Sequence, residues 1–284
     1  MPYITVGAEN SAPVDLYYED HGAGQPVVLI HGFPLSSSAW EKQIPGLISA
    51  GYRTIAYDRR GFGKSSQPIT GYDYDTFADD LNMLMSELDL RNAILVGHSM
   101  GTGEITRYIG SYGSDRVSKA VLISVLPPFL LKTDDNPEGL EKSLFDGFMD
   151  AISMDRYAYQ RQFMDNFYNY DQTKGKQVSE DAYQANWNLA VSASPIGTRT
   201  CVQTWETDFR SDLSRIDVPV LIIHGDEDRV LPYPNTAPRL QQALPDSQLM
   251  TIKGAPHGIP WTHANEVNKA IMDFVAAPAT AMAR

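Results

Sequence analysis

The 284-residue chain is long enough to bury a large hydrophobic core, and its 43% hydrophobic and 20% charged residues are typical of a folded protein, for which we predict one domain. No apolar run approaches the roughly 20 residues that cross a bilayer, so a membrane-spanning helix is not expected. The 23 basic and 35 acidic residues give a net charge of −12, which disfavours nucleic acids and anionic membranes as partners.

The amino-terminal segment and the cysteine content predict the compartment. Residues 1–22 lack the basic, apolar and small-residue regions of a signal peptide. Cys201 is the single cysteine, so the chain cannot form an internal disulfide. We therefore expect a protein of the reducing cytoplasm.

Short strand-like segments recur along the chain. Near the amino terminus, YITVG and DLYYEDHG alternate well enough to predict an antiparallel pair at a sheet edge. Six later segments are rich in Val, Ile and Leu and predict buried strands: 25–32, 52–58, 92–97, 119–125, 218–225 and 247–254. Helical segments separate them, which predicts an α/β fold with a mostly parallel, eight-stranded sheet and helices on both faces.

The segment 75–90 shows how these helices are expected to pack. Its apolar residues recur at steps of three and four, so one face packs on the sheet: Phe77, Leu81, Leu84 and Leu88. On the other face, Asp79, Asp80 and Glu87 are expected to contact water.

The strand pattern is interrupted between residues 127 and 200, where two or three amphipathic helices are predicted. We interpret this part as a helical cap inserted into the core. The predicted organisation is a first core part at 1–126, the cap at 127–200, a second core part at 201–276 and a frayed tail at 277–284. Seven cap aromatics are candidates for an apolar pocket, although core packing explains most of them: Phe145, Phe148, Tyr157, Phe163, Phe167, Tyr168 and Tyr170.

A serine lies among glycines between a predicted strand and a predicted helix. Gly97-His98-Ser99-Met100-Gly101 fits the motif G-x-S-x-G, in which a strand turns sharply into a helix. Side chains two residues before and after the serine would clash in such a turn, which favours glycine at both places. The turn leaves the Ser99 hydroxyl exposed at a helix amino terminus, where negative charge is stabilised.

Two nucleotide-binding interpretations of the glycines fail. A dinucleotide loop starting at Gly101 needs Gly or Ala where Thr106 stands. A phosphate loop containing GFGKSS needs glycine where Asp58 stands. A five-residue motif also arises by chance. The interpretation of Ser99 as a nucleophile therefore requires an acid and a histidine after it in the chain.

Both partners follow late strands in the expected order. A serine hydroxyl is a poor nucleophile at neutral pH, so a histidine must accept its proton and a buried carboxylate must orient that histidine. His257, in the loop segment GAPHG, is the candidate base. In DEDRVLP we choose Asp228 as the acid, because three residues after the strand its side chain can curl back over the sheet, while Asp226 and Glu227 stay as alternatives.

The other histidines fit the role of base less well. His31 and His224 each end a strand before glycine, where a structural hydrogen bond is expected. His98 lies on the wrong side of the turn, and His263 falls in the predicted last helix.

An oxyanion hole requires two backbone N–H groups directed at the reacting oxygen. Met100, which follows the nucleophile, supplies one, and Phe33 in the loop after the first long strand supplies the other. Pro34 cannot donate a hydrogen bond and has a fixed φ, which constrains the direction of the Phe33 carbonyl. The candidate pocket residues are Pro34, Trp205 and Ile259.

These motifs resemble a known family over nearly the whole chain. The resemblance is carried by HGFPLSSSAWE, YDRRGFGKSSQP, GYDYDTFADDL, GHSMGTGE, RYIGSYG, FLLKTDDNPEG, TDFRSDL and GAPHGIPWTHA. The chain resembles the α/β-hydrolase superfamily and, within it, the cofactor-free bacterial haloperoxidase, perhydrolase and aryl esterase group, which also includes a γ-lactamase. His98 departs from the phenylalanine that this group often has.

The resemblance implies the same roles for the same residues. The family nucleophile falls on Ser99, the acid on Asp228, the base on His257 and the oxyanion donors on Phe33 and Met100. It also implies that the enzyme uses neither a metal nor haem nor another cofactor, and that it forms a homo-oligomer, either a dimer or a trimer.

The implied reaction is acyl transfer from a small ester or carboxylic acid through an acyl-enzyme. Water then releases an acid, or hydrogen peroxide releases a peracid that oxidises halide away from the enzyme. A proline beside the oxyanion loop accompanies peracid formation in this group, and Pro34 stands there. The alternatives are a lactamase or other amide hydrolase with the same triad, and a non-catalytic receptor for a small ligand.

Overall fold

The computed structural model describes residues 2–277, and within that range eight strands form one sheet. The strands are β1 Tyr3–Glu9, β2 Ala12–His21, β3 Pro26–Ile30, β4 Arg53–Tyr57, β5 Ala93–His98, β6 Val117–Ile123, β7 Val220–Gly225 and β8 Gln248–Ile252. Their order in the sheet is β1-β2-β4-β3-β5-β6-β7-β8. β2 pairs antiparallel with β1 and β4, and the other neighbouring strands are parallel, which confirms the predicted sheet and its edge pair.

Helices cover both faces of this sheet. The α-helices are α1 Ile44–Ser49, α2 Tyr74–Glu87, α3 Met100–Tyr112, α4 Lys142–Tyr168, α5 Tyr170–Thr173, α6 Glu180–Ser192, α7 Pro195–Thr204, α8 Arg210–Leu213, α9 Ala237–Ala243, α10 Ile259–Thr262 and α11 Ala264–Ala276. Two short 3₁₀ helices lie at Ser37–Trp40 and Tyr233–Asn235. No helix of the described part is both long and apolar enough to cross a membrane.

The central strands are buried on both faces, which explains their continuous apolar sequence. In β3, Val28 and Ile30 belong to one core cluster, which also contains residues of α2, α3 and α9. Val27 and Leu29 belong to a second cluster, which contains residues of α1 and α11. Successive side chains of a strand point to opposite faces, so both layers must be apolar. The carboxyl ends of the parallel strands are thereby held at one fixed edge, where open α/β sheets bind ligands.

Four of the predicted strands end one or two residues early, and the structure shows the reason for β6. The segment 119–125 is a strand only up to Ile123, because Ser124 adopts a left-handed φ of 49°. The next N–H, on Val125, donates to the ring of His224 at 3.0 Å instead of continuing the ladder.

The expectation that Asp80 faces water is wrong. Asp80 on α2 is only 2% exposed, and its carboxylate accepts two hydrogen bonds from the Arg60 guanidinium at 2.6 and 2.7 Å. An arginine from a distant loop therefore compensates a carboxylate on the buried face, and helix periodicity contains no signal for that partner.

Three helices, α4 to α6, lie within the region predicted as the cap, and α7 begins there but continues past residue 200 to Thr204. α4 is interrupted at Asp155, whose side chain accepts hydrogen bonds from the N–H groups of Tyr157 and Ala158 and so caps the second half of the helix. The aromatic residues of this region have different surroundings: Phe145 is buried, whereas Tyr157 is 56% exposed at the surface. The boundaries at residues 126 and 200 stay a prediction. Of the predicted tail, 278–284 lie outside the described residues.

Candidate active site

The turn between β5 and α3 has the geometry expected of a nucleophile turn. Ser99 adopts φ 54° and ψ −119°, a conformation that side chains rarely take. A Cβ on Gly97 would lie 2.6 Å from the Gly101 carbonyl oxygen, and a Cβ on Gly101 would lie 2.4 Å from that of Ile30. Both distances are far inside van der Waals contact, so the two glycines permit the turn for the predicted steric reason.

Asp228 and His257 lie together at the ends of β7 and β8. The Asp228 Oδ2 atom is 2.7 Å from His257 Nδ1, and both side chains are fully buried. The other carboxylate oxygen accepts hydrogen bonds from the N–H groups of Val230 and Leu231 at 2.8 and 2.7 Å. Burial alone would raise the pKa of Asp228, but His257 and His224 outweigh it and lower the pKa well below its usual range.

Neither neighbouring carboxylate takes this place. Asp226 is exposed and accepts a hydrogen bond from the Gly254 N–H at 2.6 Å, and Glu227 is also exposed. Of the three acids in this loop, Asp228 alone turns inward over the strand ends.

The imidazole of His257 has one nitrogen occupied and one free. Asp228 accepts the proton on Nδ1, while Nε2 is buried and has no hydrogen-bond partner among residues 2–277. A buried ring nitrogen without a partner is costly unless a substrate or another reactive group uses it. No hydrogen bond joins it to Ser99 Oγ in the described part, which is common before substrate binds.

His98 holds the backbone of the candidate base. Its Nε2 donates to the His257 carbonyl at 3.0 Å, and the Ser124 hydroxyl donates to the same oxygen at 3.0 Å. Burial, followed by the nearby His257, lowers the pKa of His98 to about 3. His98 is therefore a neutral donor over the working pH range, not a second base.

Phe33 and Met100 supply the two candidate oxyanion donors. Met100 is the first residue of α3, so its N–H has no partner within the helix. His31 Nε2 accepts the Arg59 N–H at 2.9 Å, so Nδ1 carries the proton and donates to the Gly32 carbonyl, also at 2.9 Å. That carbonyl belongs to the same peptide as the Phe33 N–H, so His31 fixes the direction of this donor.

The loop after β3, which contains Gly32 and Phe33, lies close to the candidate nucleophile. A Cβ on Gly32 would lie 2.9 Å from Ser99 Cβ, which places the Gly32–Phe33 peptide beside the serine.

A cavity of about 470 Å³ opens onto Ser99. Its wall is mostly apolar and includes six aromatic side chains: Phe33, Phe145, Phe148, Tyr159, Phe163 and Trp205. Ser143, Gln162, Asn166 and Arg229 supply polar groups. A volume of this size suits a small organic ligand.

Two of the three predicted pocket residues do not line this cavity. Trp205 lines it, as predicted, but Ile259 is fully buried in the core cluster under α11. Ile259 begins α10, and its side chain belongs to the same core cluster as the central strands. Pro34 is buried next to Phe33 and also lies outside the lining.

An ionic cluster that was not predicted from the sequence lies below the oxyanion loop. Arg59 is 1% exposed and donates to Glu104 through Nε at 2.7 Å and to the His31 carbonyl at 3.0 Å. Tyr57 donates to the other Glu104 oxygen. The cluster joins β4, α3 and the oxyanion loop. The sequence signal for this cluster would have been a buried glutamate in α3. Whether a glutamate is buried cannot be derived from its residue type.

We expect Glu104→Gln to lower the free energy of unfolding by about 3–5 kcal/mol, because it removes one partner of a fully buried ion pair and leaves the Arg59 charge uncompensated. Urea denaturation measures this change. Asp273→Asn, in an exposed pair with Lys269, is the control and should cost less than about 1 kcal/mol. Equal losses in the two variants would contradict the prediction.

Comparison with known proteins agrees with the fold. The family model described as alpha/beta hydrolase fold matches residues 25–264. The chain is a member of the α/β-hydrolase family. A Synechocystis protein with the provisional name non-heme chloroperoxidase is 62% identical to this hydrolase. The alignment covers 97% of this chain and 100% of the Synechocystis protein. An Acinetobacter calcoaceticus protein named bifunctional esterase/perhydrolase is 36% identical over 97% and 99% of the two chains.

Solved structures extend the likeness to three dimensions. The crystal structure of bromoperoxidase from Bacillus anthracis matches this hydrolase with a TM-score of 0.93 and 46% identity, over 97% of this chain and 99% of the other. In residues 2–277 no three His, Cys, Asp or Glu side chains are grouped so that they could hold a metal ion.

Proposed function

We propose that this hydrolase transfers the acyl group of small carboxylic esters and acids through Ser99, with water or hydrogen peroxide as the acceptor. The observation that carries the proposal is the pairing of His257 with buried Asp228, which leaves Nε2 without a partner. His257 also contacts His98, the residue before Ser99 in the strained turn. The relatives named chloroperoxidase and esterase/perhydrolase support the choice of acceptors.

The proposed reaction has two half-reactions. Ser99 Oγ attacks the acyl carbonyl while His257 Nε2 takes its proton, and the Phe33 and Met100 N–H groups stabilise the oxyanion. The protonated His257 then gives its proton to the leaving alcohol, or to hydroxide leaving from an acid, and the acyl-enzyme remains. In the second half, His257 removes a proton from water or from hydrogen peroxide, which attacks the ester and releases an acid or a peracid. The peracid oxidises halide in solution.

A short-chain chromogenic ester tests the first half-reaction. Wild-type enzyme should release a burst of chromophore equal to the enzyme concentration, followed by slower turnover, if deacylation is slower than acylation. Intact-mass measurement during turnover should show the acyl adduct. Failure of the wild type to cleave any ester would contradict the proposal and favour a receptor for a small ligand.

We expect Pro34→Leu to lower the ratio of perhydrolysis to hydrolysis by about tenfold, the size of one lost hydrogen bond at the transition state. Pro34 fixes φ next to the Phe33 carbonyl, and a carbonyl directed into the site can accept the O–H that peroxide retains while it attacks. Acetate, peroxide and bromide with a bromination indicator measure perhydrolysis, and a chromogenic ester measures hydrolysis. An unchanged ratio would remove Pro34 from the proposal.

Assembly and location stay predictions. A homo-oligomer, dimer or trimer, is checked by size-exclusion chromatography with light scattering. The cytoplasmic location is checked by fractionation of the producing cell.

A further inference from the structure

His224 is a second histidine in contact with Asp228, at the same carboxylate oxygen that bonds His257. This histidine lies in β7, is fully buried, and follows Ile223 in the core of the sheet. Its Nδ1 accepts the Val125 N–H at 3.0 Å, so the proton of the neutral ring must lie on Nε2. That Nε2 is 2.9 Å from the Leu231 carbonyl oxygen and 3.3 Å from Asp228 Oδ2. The N–H donates to the Leu231 carbonyl, and the Thr236 hydroxyl lies 3.5 Å from the same nitrogen. The candidate catalytic carboxylate is in close charge contact with this N–H group but does not accept its hydrogen bond.

The carboxylate of Asp228 accepts three hydrogen bonds and has a fourth N–H group close by. Oδ1 accepts from two backbone N–H groups, those of Val230 and Leu231. Oδ2 faces two imidazoles, with His257 at 2.7 Å and His224 at 3.3 Å. The shorter contact is a hydrogen bond, and the longer one places the positive end of the His224 N–H bond beside the same oxygen, which stabilises its negative charge.

We propose that His224 is a positioning residue of the reaction, which orients the Asp228 carboxylate and moderates its basicity toward His257. The inference rests on the proposed function, because it concerns the same triad. It goes beyond that function in giving a role to a histidine that touches neither substrate nor nucleophile.

The direction of the effect follows from the shared oxygen. Without the His224 donor, Oδ2 carries more negative charge and holds the protonated form of His257 more strongly. The acid limb of the pH profile for kcat/KM then moves to higher pH, since more base is needed to free Nε2. The carboxylate also loses one of the contacts that fix its rotation, which lowers kcat more than it changes KM.

Other titratable groups face this pair from neighbouring elements, and they stay in place in the test. His98 at the end of β5 lies beside His257, with ring centroids 4.9 Å apart. The Tyr233 ring packs edge-on against His224 at 5.8 Å, and its hydroxyl bonds to Thr251 at the surface. Neither group offers Asp228 a donor in the described structure.

Two amide substitutions separate the roles of the two ring nitrogens of His224. An asparagine amide occupies the place of Nδ1, so His224→Asn keeps an acceptor for the Val125 N–H but loses the N–H group beside Asp228. A glutamine amide reaches the place of Nε2, so His224→Gln keeps an N–H group beside Asp228. The two variants have similar polarity, and a role in packing alone would be disturbed by both.

The experiment compares wild type, His224→Asn and His224→Gln in ester hydrolysis from pH 5 to pH 9. We expect His224→Asn to lower kcat about tenfold at the pH optimum with little change in KM, the effect of losing one polar contact beside the carboxylate. Its acid limb should move to higher pH, and His224→Gln should recover most of both properties. Tyr233→Leu, which removes the neighbouring ring and no donor, should keep the wild-type profile.

An independent signal comes from the proton between His257 Nδ1 and Asp228. In wild type this proton should give a downfield resonance in the proton NMR spectrum, which should move in His224→Asn and return in His224→Gln. The inference would be overturned if His224→Asn lost thermal stability but kept the kcat, the pH profile and the resonance of wild type. Equal kinetic effects in the two amide variants would also overturn it. If wild type cleaves no ester, the proposed function fails, and the resonance still decides whether His224 tunes the Asp228–His257 bond.

Discussion

Replacing Ser99 with alanine is expected to lower kcat for ester hydrolysis by about 10⁶-fold, because acyl transfer loses its nucleophile and His257 is left without a proton to accept. The fold should survive, since the strained conformation at φ 54° tolerates alanine as well as serine once Gly97 and Gly101 have opened the turn. Both the chromophore burst and the acyl adduct should vanish. Perhydrolysis should fall together with hydrolysis, because both reactions use one acyl-enzyme.

Ser124 provides the matched control for this experiment. It is also a fully buried serine at a strand end, and its hydroxyl donates to the carbonyl of His257 at 3.0 Å. His98 donates to the same oxygen, so Ser124→Ala should lose less than about tenfold in kcat, the range of one neutral hydrogen bond. If Ser99→Ala kept more than about 1% of wild-type activity, a different nucleophile would be required and the triad proposed here would be wrong.

The strands, and the order of the candidate catalytic residues along the chain, could be predicted from local sequence patterns. Continuous Val, Ile and Leu segments identify strands buried on both faces, and the six predicted buried strands correspond to β3 to β8. The position of Ser99 follows from a steric rule that leaves a sequence signature, Gly two residues before and after it. Asp228 and His257 each follow a late parallel strand, and such ends meet at one edge of a sheet.

Contacts between distant segments could not be predicted in the same way. The pairing of Asp80 with Arg60 and of Glu104 with Arg59 depends on which side chains meet after folding, and neither periodicity nor residue type contains that information. The second contact on Asp228 has the same origin. His224 ends a strand in the sequence, as a structural histidine would, and only the fold places its Nε2 at 3.3 Å from the carboxylate.

Asp228→Asn is expected to lower kcat by about 10⁴-fold while the site keeps its shape. The amide oxygen can still accept the Val230 and Leu231 N–H groups, because they hold one side of the side chain in place. The amide NH₂ then faces His257 Nδ1, and two donors cannot share one hydrogen bond. The imidazole therefore moves its proton to Nε2, the nitrogen that must accept the proton of Ser99.

The carboxylates in the same loop make this prediction specific. Asp226→Asn changes an exposed acid that bonds only the Gly254 N–H, so kcat should stay within about threefold of wild type if exposed charge at the loop has little effect. Hydroxide can remove the wrong proton, so activity of Asp228→Asn should rise at high pH where wild-type activity is already constant. A pH-independent loss would show that the introduced amide has moved His257 away instead of reversing its tautomer. Similar losses in the Asp226 and Asp228 variants would mean that net charge in DEDRVLP, and not one oriented carboxylate, supports the base.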